Sequence, residues 1–259
     1  MFAKFFAPEK VYPPCGMFTK GHFILLSVCI LLLVISILLT YKKNDAFLNR
    51  LVKITGPILV ILEIIKITYK FHYGYTYLDA WVPISYCSIF MFSLLLSGYG
   101  KGILKKIGNA FITLGCATAG AGFLLIPSTS LMIMPAFHFL SFHSMFYHSV
   151  MVFMGLSFII HKTAKFNFIN YLYFILIFAV FATASITMNY VFGCNLMTLR
   201  DPSYLPFNFL QVMQAKSQIS YIAFISLFYL TMPFLSSYLI HKIIIYREIK
   251  KKNVQYVKI

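Results

Sequence analysis

Carboxylates are scarce in this sequence: six Asp and Glu stand among 259 residues, against 22 Lys and Arg. Charge of either sign makes up only 11% of the chain, where a soluble domain carries about 25%. So few charges cannot clothe a water-facing surface of this size, which argues against a soluble globular fold. The five cysteines (Cys15, Cys29, Cys87, Cys116 and Cys194) contain no CxxC pair and no Cys/His zinc spacing. A zinc module and a dense disulfide framework are therefore not expected. One pairing, Cys15 with Cys194, stays open because both fall near one face in the topology below.

What the chain has instead is apolar surface. Hydrophobic residues make up 60% of it, which places it in the membrane class. The formal charge of +16 does not indicate a nucleic-acid partner. Its basic residues lie in short clusters between apolar stretches, as juxtamembrane lysines do, with no aromatic-rich basic face. No cleaved signal peptide is expected, because the first 22 residues are mixed and no small-residue cleavage site follows the first apolar run.

A helix crossing a bilayer needs about 20 mainly apolar residues. Seven stretches qualify: Phe23–Tyr41, Leu51–Tyr69, Trp81–Ser97, Ile107–Ile126, Phe137–Ile160, Phe168–Phe192 and Ile219–Ile245. The expected fold is an all-α polytopic membrane protein of about seven transmembrane helices. Pro233 predicts a kink in the last, and Pro206 to Gln218 reads as a short amphipathic helix at the interface.

Charge sets the orientation. Fifteen basic residues fall on one side: four between Lys42 and Lys53, then Lys101, Lys105, Lys106, Lys162, Lys165 and six from Lys242 to Lys258. Seven fall on the other: Lys4, Lys10, Lys20, Lys66, Lys70, Arg200 and Lys216. The positive-inside rule puts the N-terminus out and the C-terminus in. The expected organisation is a short exoplasmic segment (1–22), one seven-helix domain (23–245) and a basic cytoplasmic tail (246–259).

Polar groups inside lipid are costly, so each needs a partner or a function. At about 1.5 Å per residue, five helices carry their strongest polar groups toward the outer leaflet. These are His22, Glu63, Cys87, the pair His143 and His148, and Asn189, which Asn195 follows. One pocket open to the exoplasmic side would satisfy them together. Ser141, Ser144 and His148 share a helix face, whereas His143 points roughly 140° away from His148. Each has a plainer reading as well. Cys87 serves as a small packing residue, Glu63 pairs with Lys66 three residues on, and His148 or Asn189 bonds a neighbouring helix.

Several segments then resemble, in order, the YwaF-like bacterial integral membrane proteins, which are related to animal transmembrane phospholipid acyltransferases. Gly21-His22 precedes the first helix and Glu63 lies in the second. Trp-Val-Pro-Ile-Ser-Tyr-Cys-Ser (81–88) is similar to the family's Leu-Pro-Leu-His-Leu-Cys-Ser segment. Leu114-Gly115 through Pro127 resembles its Gly/Ala-rich fourth helix. His143-Ser-Met-Phe-Tyr-His148 matches a His-x4-His element, and Asn189 to Pro202 is the nearest match. The resemblance runs from about residue 18 to 235. Ser85 stands where the family commonly has His or Gln, and a Trp-Pro-Trp-Tyr run before the last helix is missing.

The resemblance implies acyl transfer on membrane phospholipids with Cys87 as nucleophile. His148 is the candidate base, oriented by Ser144 or Ser141. Asn189 or Asn195 is the candidate oxyanion donor, with His143, Glu63 and His22 supporting. Membrane lipids are the implied partners. No cofactor and no metal site are expected, and the sequence carries no signal for oligomeric state. Two other classes fit the same residues: a transporter or small-molecule binder, and a non-catalytic accessory subunit. No inverted repeat supports a transporter.

Overall fold

The computed structural model describes residues 2–127, 130–203, 205 and 207–256. It is 76% helix, with no strand among the described residues. The seven apolar stretches all fall on helices: α1 (Lys20–Thr40), α2 (Asp45–His72), α3 (Tyr86–Tyr99), α4 (Gly102–Leu125), α5 (Phe139–Ile160), α6 (Phe168–Phe192) and α7 (Gln218–Tyr256). Five of them, α1, α4, α5, α6 and α7, are long and apolar enough to cross a membrane. The other two fall short for separate reasons. α2 carries Asp45, Arg50, Lys53, Glu63, Lys66 and Lys70 along its length. α3 has 14 residues, about 21 Å of rise against a hydrocarbon core of about 30 Å.

Short polar side chains start the helices. Thr19 accepts from the His22 N–H (3.3 Å), Asn44 from Phe47 (2.9 Å), Ser85 from Ser88 (3.2 Å) and Asn167 from Asn170 (3.0 Å). Each satisfies one of the orphan donors of a first turn. Gly193, at φ 72°, ends α6 in the left-handed region that glycine enters most easily. The short amphipathic segment forms a helix over Asn208–Lys216; Pro206, where that segment was expected to begin, lies outside the described residues. α7 runs as one helix through Pro233, whose carbonyl accepts from Thr118 of α4 at 3.0 Å.

α4 is the hub, packed against α3, α5, α6 and α7. Its middle, Ile112–Cys116, is a wholly buried π-helical turn, a feature frequent near functional sites. Two glycines set the distances around it. A Cβ on Gly108 would stand 2.5 Å from the Ser93 carbonyl, and one on Gly155 would stand 2.3 Å from the Ala117 nitrogen. Small residues let backbones approach in this way in membrane bundles. α1 lies outermost against α5, with Leu31, Leu38 and Leu39 more than half exposed.

The helix ends sort into two groups, as the alternating charge requires. At one end His161 Nδ1 meets Asp45 at 3.0 Å, and Lys162 bonds Glu248 at 2.8 Å. At the other, residues 5–16 strap over the bundle. Lys70 pairs with Glu9, Tyr73 donates to the Phe6 carbonyl, and the Cys15 N–H donates to Met134 at 2.9 Å. All five cysteines are free thiols, Cys15 and Cys194 included.

Candidate functional site

Cys87 is the second residue of α3, immediately inside the Ser85 cap, and is half-buried. Its sulfur lies 3.2 Å from the Ser85 hydroxyl, which also meets Ser88 Oγ at 2.7 Å. The first turn of a helix presents unpaired N–H groups and favours an anion. Lys66 and Glu63 both lie within electrostatic range of the sulfur and act on it in opposite senses. Ser85 is thus the hydrogen-bond partner of Cys87. Among the described residues no imidazole is hydrogen-bonded to it.

α5 supplies the groups facing α3. The Tyr147 hydroxyl donates to the Cys87 carbonyl at 3.0 Å. The Tyr147 ring stacks on His143 (centroids 6.0 Å apart) and meets His148 edge-on (5.9 Å). His148 is buried. Its Nδ1 lies 3.4 Å from Ser144 Oγ, its ring lies against Phe123, and its Nε2 has no hydrogen-bond partner. His143 Nε2 is likewise unpartnered, 4.0 Å from Glu63 Oε2. Glu63 is buried on α2, with the Lys66 ammonium 2.5 Å from Oε1. That ammonium sits off the line of a hydrogen bond, so the pair is electrostatic rather than directional. Two orphaned imidazole nitrogens on one helix, that of His143 facing a buried carboxylate, are unusual, because buried polar groups are nearly always bonded.

The remaining sequence candidates are engaged elsewhere. His22 is fully buried. Its Nδ1 accepts from the Phe18 N–H at 3.0 Å, and its Nε2 meets the Leu124 carbonyl at 2.9 Å. It links the start of α1 to the end of α4 with both ring nitrogens used. Asn189 donates to the Leu196 carbonyl (3.0 Å) and accepts from its N–H (2.6 Å). Asn195 donates to the Asp201 carbonyl (2.8 Å) and accepts from the Asp201 N–H (3.0 Å) and the Arg200 N–H (3.2 Å). The two asparagines hold the loop after α6 in a conformation with Met197 and Thr198 at φ 55° and 53°, which L-residues adopt at a cost. A polar cavity of about 430 Å³ adjoins this loop, lined by Gly193, Cys194, Asn195, Arg200, Asp201 and Gln214.

Asn189→Ala is expected to release that loop. It leaves both Leu196 backbone groups unpaired and costs about 2–4 kcal/mol. Limited proteolysis in detergent checks this: cleavage between residues 193 and 203 rises in the variant, with the remaining helices intact.

His138 escaped the sequence reading. It caps α5, ahead of the membrane-spanning residues, and is fully buried. Its Nδ1 accepts from the Leu140 N–H at 3.1 Å, and its Nε2 meets the Ala7 carbonyl at 2.9 Å and Tyr69 Oη at 3.3 Å. Burial holds its pKa below the ordinary histidine value; nearby Lys70 acts in the same sense, and the Ala7 carbonyl and Glu9 oppose it. The unfolded chain therefore binds this proton more readily. Stability is complete above about pH 6.5 and falls as pH drops from there through the folded-state value. Protonating Nδ1 also sets two donors against each other at the Leu140 cap. Protease access to residues 4–16 is thus expected to rise between pH 7.5 and 5.5 in the native protein. This step is expected to vanish in His138→Asn.

Tyr147, four residues after His143 and one before His148, also escaped the sequence reading. No sequence signal separated His138 from other buried histidines. A family model described as the TMEM164 family matches residues 17–241, a span that contains every residue of this group. No curated protein matches the chain, and no solved structure does.

Proposed function

The chain belongs to the TMEM164 family of transmembrane proteins, and from that premise we propose that it is a lipid-modifying acyltransferase of the cell membrane. The YwaF-like resemblance belongs to this proposal. In it the bundle crosses the bilayer seven times, with residues 1–22 outside, 23–245 forming the one membrane domain and 246–259 in the cytoplasm. Cys87 is the nucleophile, and His148 takes its proton through the free Nε2. Glu63, Lys66 and His143 set the charge around the pair.

One observation supports the reading above the rest. A partly buried thiol at a helix N-terminus shares one tyrosine with two histidines whose Nε2 atoms are unbonded. Chemically, the thiolate attacks a phospholipid ester, the acyl group passes to sulfur, and a lipid acceptor removes it. In this reading the sulfur, on the second residue of α3, meets an ester at the glycerol level of the outer leaflet. The test is transfer of a labelled acyl chain between phospholipid and lysophospholipid in liposomes, and its dependence on Cys87. No transfer across several donors and acceptors would discard the reading.

A second reading has its own observation. The polar cavity beside Arg200, Asp201 and Gln214 suits a small polar molecule recognised from the aqueous side. Equilibrium binding unaffected by Cys87→Ala, together with an absence of transfer, would favour it.

A further inference from the structure

The attack on an ester places negative charge on the carbonyl oxygen, and that charge needs a donor. Neither asparagine expected to serve is free. Both side-chain groups of Asn189 are spent on Leu196, and those of Asn195 on Arg200 and Asp201. We infer that the Tyr147 hydroxyl is the oxyanion donor, a role that rests on the acyl-transfer reading above.

The geometry points to this hydroxyl in three ways. It is fixed 3.0 Å from the backbone carbonyl of the nucleophile's own residue. That carbonyl lies in the first turn of α3, where a helical C=O already accepts its ladder bond from four residues on. The bond from Tyr147 occupies the second lone pair. It can be exchanged for a stronger acceptor without leaving a buried group unpaired. Finally, the ring stacks on His143 and meets His148 and Phe90 edge-on, so the hydroxyl is oriented in advance.

The step balances as follows. The Cys87 proton passes to His148 Nε2 and the sulfur bonds the ester carbon. The carbonyl π pair moves onto oxygen, where the Tyr147 O–H turns from the Cys87 carbonyl to donate to it. Collapse breaks the carbon–oxygen ester bond, and the departing lysolipid oxygen takes the proton from His148. Tyr147 gives up no proton.

Tyr147→Phe removes the donor and keeps the ring. Its kcat for acyl transfer is expected to fall about 10²–10³-fold, with KM near the native value. Maleimide labelling of Cys87 is expected to proceed at the native rate, because access to the thiol does not depend on the hydroxyl. Fluorotyrosine at position 147 keeps ring packing and strengthens the donor, so kcat is expected to be restored and to track hydroxyl acidity. Native kcat in Tyr147→Phe, with Cys87→Ala inactive, overturns the inference and leaves the nucleophile in place. Equal loss of transfer, labelling rate and thermal stability in Tyr147→Phe, with no dependence on fluorination, also overturns it and makes the bond a plain interhelical contact. Cys87→Ala with native transfer overturns the acyl-transfer reading itself.

Discussion

Cys87→Ala is expected to lower acyl transfer in liposomes by at least about 10³-fold, the loss that follows removal of a covalent nucleophile. The fold should survive. The side chain is half-buried, bonded only to the neighbouring Ser85, and its loss opens little space. The Tyr147 bond runs to the backbone carbonyl and is kept in the variant. Retention time on size exclusion and thermal midpoint should match the native protein, which separates lost chemistry from lost structure. Cys116, the fully buried last residue of the π-helical turn, is the matching control. Cys116→Ala removes a buried thiol whose hydrogen bond runs to the Phe111 carbonyl of its own helix, and native transfer is expected.

Gly155→Val is expected to unfold the bundle or halve its yield in the membrane. A Cβ at 155 would stand 2.3 Å from the Ala117 nitrogen and 2.8 Å from its Cα. Backbone atoms cannot rotate away, so α4 and α5 must separate. Overpacking a core costs about 1–3 kcal/mol where side chains can yield; here the cost lies at or above the top of that range. The displaced turn is the one that seats Cys116 and Ala117 against α5, the helix carrying His143, Tyr147 and His148. Heating in detergent checks it: a drop in midpoint of several degrees, or aggregation without a transition, is expected. Gly122→Ala, with nothing within 4 Å of the added Cβ, should leave the midpoint unchanged.

Hydropathy made all seven helices legible, because apolar runs near 20 residues long have few other uses. It could not establish which of them cross the bilayer alone. α2 carries six charged residues in 28 positions, and α3 is short because Pro83 and the Ser85 cap start it late. The clustering of basic residues grouped the helix ends, and His161–Asp45 and Lys162–Glu248 join residues that it put on one side.

The site was legible by depth but not by face. Depth follows from counting residues along a helix, so Glu63, Cys87, His143 and His148 fall toward one end of the bundle. Facing depends on which helices touch, and that rests on Gly108, Gly155 and the π-helical turn, whose effect no periodicity announces. His22, Asn189 and Asn195 were expected in the same pocket, yet their side chains bond backbone. The Glu63–Lys66 pair, the plainer reading of that carboxylate, is present alongside the His143 contact. Tyr147 was hidden by its residue type, since tyrosine is common in this chain and needs no special role in lipid.

The central claim is that an acyl group passes through Cys87. The most direct measurement incubates the protein with phospholipid, quenches in acid and weighs the intact chain by mass spectrometry. A mass increase of one acyl chain, removed by neutral hydroxylamine and mapped to the peptide containing Cys87, is the result expected. Transfer that proceeds with Cys87 unmodified, or with the acyl group on another residue, would contradict the account.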